Sequence, residues 1–215
     1  MLRRLLVLLV PVLASLSLVS SAHGTDLPVE PYASYDGQTT CSPAAKKGTV
    51  ALGHYLVSTY GGRFGGISRS CAGKAVSEHK EGRAFDWMLN ARKKKDRTRA
   101  ARFLHDAFAT GPSGQPAELA RRMGIMYVIF NDRIYAAYDH FAARAYRNSA
   151  CKSVKKCSPT LRHRNHLHIS LSRAGAAAST SWYVGRVPGA VYVPPVVVPT
   201  DPALPGGNDS GPWQH

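Results

Sequence analysis

Acidic side chains are scarce in this chain. Its 215 residues hold 13 Asp and Glu against 28 Lys and Arg, a formal net charge of +15. An imbalance of that size draws a protein to anionic surfaces, and it also keeps a protein soluble. Cys-x-x-Cys is absent, which argues against a metal site built from cysteines. Long apolar runs are absent too, apart from one near the start, so no later stretch is long enough to span a bilayer.

The one apolar run, 5–18, follows Arg3 and Arg4 and ends in Ser20-Ser21-Ala22. A basic start, a short apolar middle and a small-residue end describe a secretory signal over 1–22, cut near Ala22. Pro11 and the serines break the run, which counts against a retained membrane anchor. Residues 23–47 are rich in Pro, Asp, Ser and Thr and read as an extended lead-in. One domain is expected over 48–184. Residues 185–215, rich in Pro, Gly and Val and without periodicity, read as a disordered tail.

The four cysteines, Cys41, Cys71, Cys151 and Cys157, are an even number in a chain with an export leader. Disulfides are the expected use. Of three possible pairings, Cys41–Cys71 with Cys151–Cys157 is favoured, because the second pair closes a short basic loop, 152–156.

Between these landmarks the pattern predicts an α+β domain, an antiparallel sheet flanked by helices. A helix is expected over 49–60, where Leu52, Tyr55, Leu56 and Thr59 share a face and Gly61-Gly62 stop it. A strand follows over 63–70, with Gly65-Gly66 marking a bulge or a close approach. Asp96 is placed to cap a helix over 97–109, with Ala100, Leu104, Ala107 and Phe108 facing inward. Pro116 suits a helix start and Gly124 a helix stop. Residues 125–130 and 133–138 read as a hairpin turning at Asn131-Asp132. Trp182-Tyr183-Val184 read as a last packed strand.

The chemistry concentrates in two stretches. The first is Ser77-Glu78-His79-Lys80-Glu81-Gly82-Arg83-Ala84-Phe85-Asp86, and the second is His166-Leu167-His168. Gly82 permits a sharp turn between His79 and Asp86. In a strand, Phe85, Trp87 and Leu89 face one way and Ala84, Asp86 and Met88 the other. Leu167, Ile169 and Leu171 likewise oppose His166, His168 and Ser170. Two neighbouring strands, apolar side to the core, would present Asp86, His166 and His168 together. Asp139-His140 could border the same cleft or simply end a strand. One of His163, Arg164 and Asn165 could hold the far nitrogen of a metal-bound imidazole. His105 and Asp106 read as ordinary helix residues.

The order Ser-x-His-x-x-Gly-x-Ala-x-Asp, then His-x-His far downstream, resembles the zinc peptidase superfamily of D-Ala-D-Ala metallopeptidases, lysostaphin-type enzymes and hedgehog domains. Ser77, His79, Gly82, Ala84 and Asp86 meet every fixed position of the first motif. The likeness runs over about 48–172, and is closer still to small secreted actinobacterial proteins of this kind. It implies a hedgehog- or peptidase-like fold, a Zn²⁺ ion on His79, Asp86 and His168, and His166 beside the metal as a catalytic group. It also implies a peptidoglycan peptide as substrate. An exported, cell-wall-associated monomer without a stable membrane anchor is the expected setting, with peptidoglycan or another anionic wall polymer as its partner.

The sequence departs from the family at one place. Many of the D-Ala-D-Ala peptidases carry a Glu base a few residues before the last His. Here 161–167 read Leu-Arg-His-Arg-Asn-His-Leu, with no acid. The sequence thus fits the His-x-His branch better, or an enzyme weakened by losing its base; a zinc site used for binding alone, as the hedgehog resemblance allows, is the main alternative. A metal-dependent nuclease is a remoter one, since such enzymes favour Mg²⁺ on carboxylates, and nucleic acid is not the expected partner.

Overall fold

The computed structural model describes residues 27–196. The leader expected over 1–22 and the larger part of the tail lie outside the described residues.

Leu52, Leu56 and Tyr60 recur at four-residue spacing and form the buried row of helix α1, Lys47–Tyr60. Gly61 ends it at φ 82°. Strand β1 is only Arg63–Phe64, shorter than the 63–70 expected. The glycine pair explains the difference. A Cβ on Gly65 would lie 2.0 Å from the Asp86 carbonyl oxygen, so the chain passes over that carbonyl at close range. The Asp86 N–H then donates to Gly66 O at 2.9 Å.

Next come strand β2 (Ala84–Met88) and helix α2 (Lys94–Phe108). Asp96 does not cap α2. It lies in the first turn, where it accepts from the Asn90 N–H and pairs with Arg99, bracing the basic turn ahead of the helix. Ala100, Phe103 and Ala107 are its buried row, with Leu104 and Phe108 at the margin. Helix α3 is short, Glu118–Arg122, and Gly124 follows at φ 66°.

Strands β3 (Ile125–Phe130) and β4 (Arg133–Ala136) form the expected hairpin. Asn131 and Asp132 turn it with φ of 50° and 63°, the positive pair a two-residue hairpin needs. A short strand β5 (Ala143–Ala145) was not expected. Strand β6 (Leu167–Leu171) and helix α4 (Arg173–Ala176) follow. Ser181–Tyr183 form a 3₁₀ turn where a strand was expected. The buried Glu30 carboxylate takes both the Ser181 N–H and its hydroxyl, so that backbone is not free to join a ladder.

The six strands pair antiparallel throughout, in the order β1-β2-β6-β3-β4-β5. One face of the open sheet, with Phe85, Trp87, Val128, Leu167 and Ile169, meets the helices in the main core. Because the helices pack on that side, the other face is left to carry a site. It holds a smaller cluster around Met126, Tyr127, Ile129 and Ile134, partly covered by Ala33 and Tyr35 of the lead-in. Between Ile125 and Tyr127 the register slips. Ile125 opposes Leu171, but Tyr127 opposes Ser170. This bulge turns Tyr127 and Ile129 onto the face that bears His168.

Cys41 is bonded to Cys71 and Cys151 to Cys157, the pairing favoured by count and spacing, and no cysteine is free. Among the described residues no helix is long and apolar enough to cross a membrane.

Candidate metal centre

Strands β2 and β6 place Asp86 directly opposite His168. Their alternation buries Phe85, Trp87, Leu167 and Ile169 among the helices and leaves Asp86, His168 and Ser170 on the far face. His79 arrives from the 3₁₀ turn Glu78–Glu81. Gly82 ends that turn in the left-handed region, φ 65° and ψ 20°, and a Cβ there would meet Ala44 O at 2.0 Å. No other residue fits both constraints.

The three side chains converge closely. His79 Nε2 lies 3.1 Å from Asp86 Oδ1 and 3.2 Å from His168 Nδ1, and the last two are 3.1 Å apart. Donors around a tetrahedral zinc, with bonds of ~2.0–2.1 Å, stand about 3.3 Å apart. The group has the size of a metal site.

Hydrogen bonds on the far sides decide what these atoms present. His79 Nδ1 faces the Ile67 carbonyl at 2.8 Å. A carbonyl only accepts, so Nδ1 holds the hydrogen and Nε2 offers a lone pair. His168 Nε2 faces Ser170 Oγ at 2.9 Å, and that hydroxyl donates onward to Glu78 Oε2 at 3.3 Å. His168 therefore donates from Nε2 and offers its lone pair from Nδ1. Three acceptor atoms meet with no hydrogen among them, an arrangement that a cation satisfies.

His166 stands beside this group and outside it. Its Nε2 is 3.6 Å from Asp86 Oδ1, too long for a hydrogen bond. Its Nδ1 lies 2.8 Å from Asn165 Oδ1, and the Asn165 amide nitrogen donates to Thr160 Oγ1 at 2.9 Å. The amide is thus oriented with its oxygen towards the ring, Nδ1 carries the hydrogen, and Nε2 is bare. Burial holds His166 below the ordinary histidine value. His163 packs against both rings of the pair, at 4.8 and 5.4 Å between centroids. Burial, then His168 and His166, push it down to about 2, so it stays neutral.

The cleft above these residues has a volume of about 200 Å³, with Arg69, Val76, Tyr146 and Leu161 on its walls. Asp139 and His140 do not line it. Asp139 pairs with Arg144, and His140 rests on the Tyr32 ring at 4.4 Å. His105 bonds its neighbour Asp106, away from the centre. Nor does any of His163, Arg164 or Asn165 hold the far nitrogen of His79 or His168. Those places belong to Ile67 and Ser170, and Asn165 holds His166 instead.

Sequence reasoning missed Glu78 and Tyr127. The Tyr127 hydroxyl donates to Glu78 Oε2 at 2.6 Å, and its ring stacks on His168 at 5.6 Å. Glu78 occupies a variable place in the first motif, and only the bulge brings Tyr127 to this face. Ser170 was legible as a member of the histidine face but not as a hydrogen-bond partner.

The family model described as VldE, C-terminal domain, matches residues 41–155. That stretch contains His79 and Asp86 and stops ahead of His166 and His168. No curated protein and no solved structure matches. With just over half of its length matched, the chain belongs to the VldE, C-terminal domain family.

Proposed function

We propose that this protein is a secreted zinc-dependent hydrolase that cuts peptide bonds of cell-wall peptidoglycan. The observation that carries the proposal is the donor set itself. Two imidazole nitrogens and one carboxylate oxygen converge at 3.1–3.2 Å, two of the three residues, Asp86 and His168, line a cleft, and the His166 imidazole stands beside them with its Nε2 bare. Three protein ligands of this kind are typical of a catalytic zinc, which keeps a position open. The resemblance of the first motif and the His-x-His pair to zinc peptidases points to the same metal. Both disulfides suit an oxidising, extracellular setting.

Zinc on His79, Asp86 and His168 would supply Lewis acidity, acidifying water and polarising an amide carbonyl. The remaining work falls to the chain's own residues. His166 Nε2, bare and facing the cleft, takes up a proton and returns it to the leaving amine. Asn165 keeps that ring in the required tautomer. His163 backs the ring without adding charge. Arg69, exposed on the cleft wall, pairs with a substrate carboxylate.

The test is digestion of purified peptidoglycan by the zinc-loaded protein. New amino groups are expected, abolished by chelator and restored by zinc. Digestion of DNA in parallel serves as the control for a nuclease. A second possibility, a zinc-stabilised binding module at the wall, is favoured by one feature. The acids on the cleft wall are Glu78 and Asp86, and neither is a free base. Asp86 belongs to the donor set, and Glu78 is bonded behind His168. Zinc bound stoichiometrically, with no product from several wall types, would establish that second possibility.

A further inference from the structure

We infer that Glu78 is a positioning residue for the metal centre, acting on His168 through Ser170. Its side chain is nearly sealed from solvent, at 3% exposure. Oε2 accepts from Tyr127 at 2.6 Å and from Ser170 at 3.3 Å, while Oε1 is buried without a partner. A carboxylate in such a place is costly unless it holds something in position.

What it holds is the direction of a hydrogen-bond chain. A serine hydroxyl has one hydrogen to give. Because that hydrogen goes to Glu78, Ser170 can only accept from His168, and His168 must place its own hydrogen on Nε2. Its lone pair is thereby fixed on Nδ1, which faces His79 and Asp86. Without the carboxylate, the hydroxyl is free to donate to Nε2. The hydrogen of His168 would then move to Nδ1, into the metal position. Tyr127 completes the device. Its hydroxyl donates to the same carboxylate oxygen, Oε2, at 2.6 Å. Its ring also lies nearly parallel to that of His168, with 23° between the planes.

Glu78 is not the missing general base. It lies on the Nε2 side of His168, and the donor group is on the Nδ1 side. Its role is tied to metal binding and is independent of which bond, if any, is cut.

The experiment uses the full chain, with Glu78→Gln, Ser170→Ala and the double variant. Zinc affinity is read by competition with a chromophoric chelator, and the His168 tautomer by nitrogen chemical shifts in the metal-free protein. Wild type should show the Nε2–H form. Each single variant should weaken zinc binding about 10–100-fold, the usual effect of a lost partner behind a ligand. Each should also shift His168 towards the Nδ1–H form. The double variant should be no weaker than the worse single, because both break one chain. Unchanged tautomer with affinity within about twofold of wild type would overturn the inference, as would losses that multiply in the double variant. Circular dichroism and thermal melts check folding, and if one single variant does not fold, the other decides. If wild type takes up no zinc, the metal proposal fails, but the tautomer comparison still tests Glu78.

Discussion

His166 and His168 stand two residues apart near the same group, yet different partners give them different work. Ser170 turns the lone pair of His168 onto Asp86 and His79, while Asn165 leaves the Nε2 of His166 bare and 3.6 Å from Asp86. His168→Ala, His79→Ala and Asp86→Ala are each expected to lose zinc. His166→Ala is expected to keep zinc near stoichiometric while turnover falls by roughly 10²–10⁴, the usual contribution of a positioned acid–base group. Zinc content and turnover measured on one preparation check this, and loss of zinc from His166→Ala would mean that the two roles are exchanged. The residues of this group were legible because alternation and one glycine orient them locally, and the resemblance of the two motifs joins the two distant stretches. Their outer partners were not. Ser170 reaches Glu78 only across the fold, and Tyr127 faces them only because one extra residue bulges from β3.

Among the elements, the short turn Glu78–Glu81 depends most on its surroundings. Glu81 is 2% exposed and gathers Arg83, Arg173 and the backbone N–H groups of Thr39 and Thr40. Burial raises its carboxyl, but Arg83 and the threonines outweigh this and lower it to about 2. A carboxyl lowered on folding stabilises the protein fully above its unfolded value and ceases to do so as pH falls through its folded value. The contribution of Glu81 should therefore be intact at pH 7 and fade between about pH 4.5 and pH 2, by on the order of 3 kcal/mol in total. Denaturant melts of wild type and Glu81→Gln across that range should converge towards the acid end; a constant gap would show that Glu81 is not the group responsible. Elements with local signals were readable, among them α1 with its Gly61 stop and the hairpin at Asn131-Asp132. Those governed by distant contacts were not. Gly65 crossing Asp86 O cuts β1 short, and Glu30 holds Ser181 out of a strand.

At the scale of the molecule, charge is unevenly spread. No acid occurs between Asp139 and Asp201. Within that span, the loop closed by Cys151–Cys157 carries the exposed Lys152, Lys155 and Lys156, and residues on both sides of it, Asn148 and Leu161, wall the cleft. Changing the three lysines to serine should weaken retention on an anionic wall polymer by roughly tenfold at low salt, from about 0.5 kcal/mol for each exposed ion pair. Zinc content should not change. Equal retention of both proteins in a salt-gradient binding assay would place the contact elsewhere. The order of the strands has a consequence for how the protein comes into being. Among the described residues β6 is the last strand to be made, yet it is the partner of both β2 and β3. Until residues 167–171 exist, the sheet is two separate ribbons, each with an open edge facing the gap. The pairings that close it, such as Asp86 with His168 and Ile129 with His168, join residues far apart in the chain, the slow kind of contact in folding. A chain cut short before Leu167 would thus lose the metal centre and the continuity of the sheet in one stroke, leaving two adhesive edges in place of one finished protein.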